Sequence, residues 1–193
     1  MSEVVGILLA AGSARRFGSN KLLHPLLTGV PIALTAARNL KAVLPRCIAV
    51  VRPGAVELSG LLEAEGLQVV VCAGADEGMG ASLACAAGAA GEAGGYMIAL
   101  ADMPYIRASS LQAVRDALMG GAALVAPYFR TRRGHPVGIA GRFGAELRAA
   151  SGDEGAKKLL DTHAAELVKI PVGDPGVIRD VDTPADLAPP LGV

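Results

Sequence analysis

Three stretches of this 193-residue chain carry charges suited to handling phosphate. The first is GSARRFGSNK (Gly12–Lys21), spaced G-S-x-R-R-x-G-x-x-K and set directly after the apolar run VVGILLA (Val4–Ala10). Glycines let a backbone turn tightly and aim several N–H groups into one concavity, which suits phosphate oxygens. Arg16 would add a fork of donors and Lys21 a compact point charge. The spacing is not a Walker loop, because Gly18 is not followed by Lys-Ser/Thr, and it is not the dinucleotide pattern G-x-G-x-x-G. A solvated turn is the plain alternative. The glycines at both ends, following a buried strand, favour an anion cradle.

The second stretch is ALADMP (Ala99–Pro104) and the third RDVDTPADL (Arg179–Leu187). A carboxylate at the end of a buried strand is costly unless a positive charge meets it. Asp102 is therefore a candidate ligand for a divalent cation, and Mg²⁺ typically takes one or two carboxylates together with substrate phosphates. A helix cap is the alternative role, but Asp102 lies several residues ahead of the helical segment near Ser109. If 179–183 is extended, Asp180 and Asp182 point to one side, and a cation could sit between Asp102 and one of them. Asp182 also has a plainer role as the cap of a helix starting at Thr183-Pro184.

RGHP (Arg133–Pro136) offers a histidine beside an arginine. His135 is either simply packed or surface-exposed, or a contact to an anionic or heteroaromatic ligand, and it is not needed as a base. In GMGASLACAAGAAG (Gly78–Gly91), the small residues suit a helix seated tightly on a sheet, while Gly78–Ser82 form a candidate pocket.

The elements that must position these residues are legible as an alternation. CIAVVR (Cys47–Arg52), LQVVVC (Leu67–Cys72), YMIALA (Tyr96–Ala101) and AALVAP (Ala122–Pro127) join Val4–Ala10 as short runs apolar on both faces. Such runs mark a parallel sheet covered by helices. Helical patterns at 31–43, 55–66, 79–91 and 109–121 separate them, the first opening on Pro31 and the last with Ser109 and Ser110 as caps. After Pro127 the rhythm changes. HPVGIA (His135–Ala140) reads as an added strand, antiparallel to the rest, followed by helical RFGAELRAA and DEGAKKLLDTHA, a strand in LVKIPV and a helix start in DTPADL. The fold class is α/β: a three-layer α/β/α Rossmann-like domain over residues 1–193, with a mostly parallel sheet. Ligands in such sheets collect beyond the carboxyl ends of the strands, where the Gly12–Lys21 loop, AGADEGMG (Ala73–Gly80) and ADMP (Ala101–Pro104) lie.

Composition narrows the function classes. The 18 Lys+Arg balance 18 Asp+Glu, which gives no global charge for nucleic-acid or membrane binding. Mean hydropathy is +0.44, which excludes a disordered chain. No run of 18 apolar residues suggests a membrane span and no secretory leader is evident, so a soluble cytoplasmic protein is expected. Cys47, Cys72 and Cys85 sit singly among apolar neighbours, which predicts buried free thiols.

LLAAGSARRFGSNK, ALADMP, RGHPVGI, GDEGAKKLL and DVDTPADL, in this order, resemble the nucleotidyltransferases of Rossmann-like, nucleotide-diphospho-sugar transferase-like fold. L-A-A-G, where guanylyl-transferring members usually have L-A-G-G, is similar to the molybdenum cofactor cytidylyltransferase branch. Lys157 departs from that branch's G-D-x-G-A-R. The resemblance implies an Mg²⁺-dependent enzyme, with Mn²⁺ as a substitute, that moves CMP from CTP to the terminal phosphate of a molybdopterin-type acceptor. Ala10, Ala11, Gly12 and Ser13 would lie along the nucleotide, Arg16 and Lys21 on its triphosphate, and Gly80 and Ser82 at the cytosine. Asp102 and Asp182, with Asp180, would bind the metal. Arg133, Gly134, His135, Pro136, Gly152, Asp153 and Gly155 would face the acceptor. Arg16, Lys21 and Asp102 are the implied catalytic groups, and a molybdoenzyme or its insertion chaperone the implied protein partner. A guanylyl- or sugar-phosphate transferase of the same fold, and a non-catalytic cofactor-carrying chaperone, remain as alternatives.

Overall fold

The computed structural model describes residues 3–12, 21–153 and 155–188. Its strands are β1 (Val4–Leu9), β2 (Cys47–Val51), β3 (Gln68–Val71), β4 (Gly95–Leu100), β5 (Leu124–Phe129), β6 (Arg132–Arg133), β7 (Val137–Ala140) and β8 (Leu167–Pro171). Its helices are α1 (Ile32–Lys41), α2 (Val56–Ala64), α3 (Met79–Ala90), α4 (Ala108–Met119), α5 (Gly144–Arg148) and α6 (Ala156–Thr162). The sheet runs β3-β2-β1-β4-β7-β5-β6, with β8 paired in parallel to β5. β1 to β4 are mutually parallel, and β7 is antiparallel to both β4 and β5, as HPVGIA predicts.

The apolar runs separate into two faces with a period of two. Val4 and Leu8 of β1, Ala49 and Val51 of β2, and Met97 and Ala99 of β4 pack under α1, α2 and α4. Val5 and Ile7, Ile48 and Val50, and Tyr96 and Ile98 pack under α3, α5 and α6. Fully burying each Val, Ile or Leu contributes about 1.5–3 kcal/mol, so neither face can be opened cheaply. β3 differs from β1, β2 and β4: Gln68 and Val71 are exposed, because it is the sheet's edge and lacks a neighbour beyond it.

The segment after β8 returns across the carboxyl end of the sheet and is anchored at three points. Asp174 is buried and accepts hydrogen bonds from Arg107 N (2.9 Å), Ser110 Oγ (2.7 Å) and Gly176 N (2.9 Å). His135 N donates to Val177 O at 2.7 Å, and Gly134 lies so close that a Cβ there would be 2.3 Å from the same oxygen. Val181 N donates to Asp102 O at 2.8 Å, with the Val181 side chain fully buried beside Leu26 and Ile32.

Several local expectations are corrected. Cys72 and Cys85 are joined in a disulfide, their Cα atoms 6.0 Å apart, because the turn after β3 folds α3 back over that strand. Cys47 is free and buried, and burial pushes its thiol up to about 11. Ser109 and Ser110 do not cap α4: Arg107 occupies the N-cap position, and the Ser110 hydroxyl is spent on Asp174. Asp182 does not cap the short 3-10 helix Pro184–Leu187. Thr183 does, in a reciprocal capping box with Asp186, while the Asp182 carboxylate pairs with Lys21.

Candidate active site

A cleft of about 710 Å³ opens beyond the carboxyl ends of β1 and β4. Ala11 and Gly12 follow β1 into it, Lys21 and Leu22 form a second wall, and Asp102 enters after β4. Gly78, Met79 and Ser82 contribute the amino-terminal turn of α3, Asp153 faces them, and Asp182 closes the rim. Residues distant in sequence thus meet where the strand order predicts a binding crevice.

At the centre lie three carboxylates. Asp102, Asp180 and Asp182 each offer an oxygen within 4.8 Å of the others. Lys21 donates to Asp102 Oδ2 at 2.9 Å and to Asp182 Oδ1 at 3.0 Å, and is itself buried. Burial lowers the Lys21 pKa, but hydrogen bonds and charge from Asp102 and Asp182 outweigh it, so the net shift is upward and the ammonium is held. Asp180 is raised above its ordinary value, first by burial and then by the charges of Asp182 and Asp102, against a backbone hydrogen bond and a smaller pull from Lys21. Three hard oxygen donors in mutual reach fit a divalent cation.

The remaining predicted residues divide into those at the cleft and those behind it. Ala10 is buried beneath the cleft floor, while Ser13 and Arg16 lie outside the described residues. Gly80 is buried against the backbone of Ser151 and donates to Gly152 O at 2.7 Å. Gly78, at φ +121°, lies so near Gly152 O and Asp153 Oδ1 that a Cβ would approach both to 2.5 Å. These contacts lock the candidate base pocket to Gly152 and Asp153, and Gly155 packs on Met79. Arg133, Gly134, His135 and Pro136, by contrast, do not line the cleft. The Arg133 guanidinium pairs with Asp161 of α6 at 3.1 Å, and Gly134 serves the close approach to Val177. The His135–Pro136 peptide is cis, and the imidazole stands with its Nδ1 buried and unpartnered among the described residues. Burial lowers the His135 pKa, an effect that Ile98 and the charge of Asp102 only partly offset.

Arg52 is a site residue that motif reasoning passes over. From the end of β2 it donates to Ala11 O through Nε (3.2 Å) and Nη2 (2.9 Å), and it reaches Asp76 Oδ1 at 3.3 Å. It thereby pins the chain just before Gly12 to the turn after β3. A basic residue at the carboxyl end of a buried strand is the signal that could have found it.

The profile of the MobA-like NTP transferase domain matches residues 6–167. The purine catabolism protein PucB of Bacillus subtilis is 27% identical over 193 residues, covering 95% of this chain and 93% of its own. The crystal structure of Rv0371c from Mycobacterium tuberculosis superposes with a TM-score of 0.83 at 24% identity, over 96% of this chain and 95% of that one. A second Rv0371c structure, a complex with manganese, has a TM-score of 0.78 over 96% of each chain at 24% identity. Molybdopterin-guanine dinucleotide biosynthesis protein A of Archaeoglobus fulgidus superposes at 0.67 with 17% identity, over 95% of this chain and 94% of its own. Among the described residues no helix is long and apolar enough to cross a membrane.

Proposed function

This chain belongs to the MobA-like NTP transferase family, and we propose that it transfers CMP from CTP to the terminal phosphate of a molybdopterin-type acceptor, releasing pyrophosphate and forming a cytosine dinucleotide. One observation carries the reading: Asp102, Asp180 and Asp182 converge with Lys21 in a cleft whose opposite wall is the Gly78–Ser82 turn. That arrangement sets a group of oxygen donors able to hold a divalent cation, together with the Lys21 ammonium, across the cleft from a turn assigned to the base. L-A-A-G at the start of the cleft and the order of the later motifs support the cytidylyl branch over a guanylyl one.

An acceptor phosphate is already ionised at neutral pH and needs no activating base. One of its oxygens attacks the α-phosphorus of CTP; the bond from that phosphorus to the β-bridging oxygen breaks, and pyrophosphate carries away the electron pair. The obstacle is repulsion between anions, so catalysis is positioning and charge neutralisation. Asp102, Asp180 and Asp182 would hold Mg²⁺ or Mn²⁺. The ion, when bound, neutralises charge on the phosphates that meet there. Arg16 and Lys21 are assigned to the departing pyrophosphate, Ala11, Gly12 and Ser13 to the nucleotide backbone, and Ser82 and Gly80 to the base. Arg52 keeps Ala11 in place. Asp153, Gly152 and Gly155 form the acceptor wall. The buried His135, with Arg133, Gly134 and Pro136, supports the acceptor side from behind.

Pyrophosphate release measured with CTP, GTP, UTP and ATP, with a molybdopterin-type acceptor and with or without chelator, tests this. Release with CTP that chelator abolishes is expected. Preference for GTP would move the enzyme to the guanylyl branch. Acceptor binding without release from any nucleotide would instead leave a carrier protein.

A further inference from the structure

The resemblance puts Lys21 on the triphosphate, yet its ammonium sits between Asp102 and Asp182, 2.9 and 3.0 Å from their oxygens. These are two of the three carboxylates that form the candidate metal centre. Lys21 is buried, and its ammonium is held between two carboxylates of the cluster. A divalent ion using the same carboxylates would lie within a few ångströms of the ammonium, where two cations repel strongly in a partly buried site. An ion that takes the oxygens Lys21 now holds would compete with the ammonium for them. The lysine stem is flexible, and a phosphate group would offer its ammonium another anionic partner.

We propose that Lys21 is the resident cation of this centre and competes with the divalent ion for Asp102 and Asp182, so that metal binds well only after Lys21 has moved onto a phosphate. Metal and nucleotide then assist each other's binding, and by linkage the assistance is mutual. The inference rests on the metal-centre reading above, and on no particular nucleotide or acceptor.

Mn²⁺ binding to the whole protein without nucleotide, followed by electron paramagnetic resonance, tests it in wild type, Lys21→Met and Lys21→Met/Asp102→Asn. Thermal melting confirms folding, and Lys21→Gln serves if Lys21→Met does not fold. The single variant should bind Mn²⁺ roughly tenfold or more tightly than wild type, a coupling of ordinary size, and the double variant should lose that gain. Equal or weaker Mn²⁺ binding by the folded single variant overturns the competition and leaves the metal centre standing. A gain that survives Asp102→Asn places the ion elsewhere and also overturns it. If wild type and variants all fail to bind Mn²⁺ even with CTP present, the metal-centre reading itself is refuted.

Discussion

Asp174→Ala tests how the carboxyl-terminal segment is held over the site. Asp174 is 3% exposed, and its two oxygens accept from Gly176 N, Arg107 N and Ser110 Oγ at 2.7–2.9 Å. Arg107 Nε lies 3.9 Å away, too far to share a proton but near enough to balance the charge. Truncation leaves these three donors without their acceptor beside a small void, with Ser110 itself 2% exposed. A buried donor left unsatisfied costs about 1–3 kcal/mol. Taking the lower end for each, to allow for water entering the void, gives a loss of about 3 kcal/mol or more. Urea unfolding should show the midpoint falling with little change in slope. Because the same segment delivers Asp180 and Asp182, metal binding should weaken under conditions where the variant is still folded. A loss below about 1 kcal/mol, with Mn²⁺ affinity intact, would refute the anchoring argument, since a buried carboxylate with three donors cannot be that dispensable.

Asp102→Asn should lower CTP-dependent pyrophosphate release about a hundredfold or more, the usual loss when a preorganised charge is removed at a phosphoryl centre. Its stability should change by about 1 kcal/mol or less because the ion pair is partly open to solvent; turnover within tenfold of wild type in a folded variant sinks the assignment. Gly134→Ala forces a Cβ to 2.3 Å from Val177 O and should lower the melting temperature by several degrees, at roughly 1–3 kcal/mol of overpacking and about 2–4 °C per kcal/mol. An unchanged melting curve would show that the two segments separate freely. Cys47 has a raised pKa, so the folded chain holds the thiol proton more tightly than the unfolded chain. Its contribution to stability is present below the ordinary 9.0 and lost as pH rises to about 11. Chemical denaturation across that window should show a decline that Cys47→Ala removes, and wild-type Cys47 should resist alkylation at pH 8.

The sheet was legible because each parallel strand announces itself as a run apolar on both faces, and because Gly12, Asp102 and the Gly78–Ser82 turn all fall at strand ends. Asp180 and Asp182 were recognisable as a pair pointing one way in an extended segment. The capping of the short helix after them was not, because Thr183 and Asp186 form a two-sided box that a single acidic residue before proline imitates. The partnership of Lys21 with the acidic centre was hidden by distance: 81 residues separate it from Asp102 and 161 from Asp182. Nothing in local spacing reports such a pairing. Arg133 misled for the opposite reason, since a motif arginine beside His135 looks like a ligand contact until α6 presents Asp161 to it. The Cys72–Cys85 pair escaped notice because the cysteines show no motif spacing, and only the return of α3 over β3 joins them.

The tie between Val181 N and Asp102 O has a consequence for how such a protein is made on a ribosome. A nascent chain that has emerged through β8 already possesses every strand of the sheet, and Lys21 and Asp102 can meet. Two of the three acidic groups have not yet been translated into reach. The acidic cluster is therefore the last part of the cleft to be completed as the chain is made, when a short stretch of backbone reaches the end of β4.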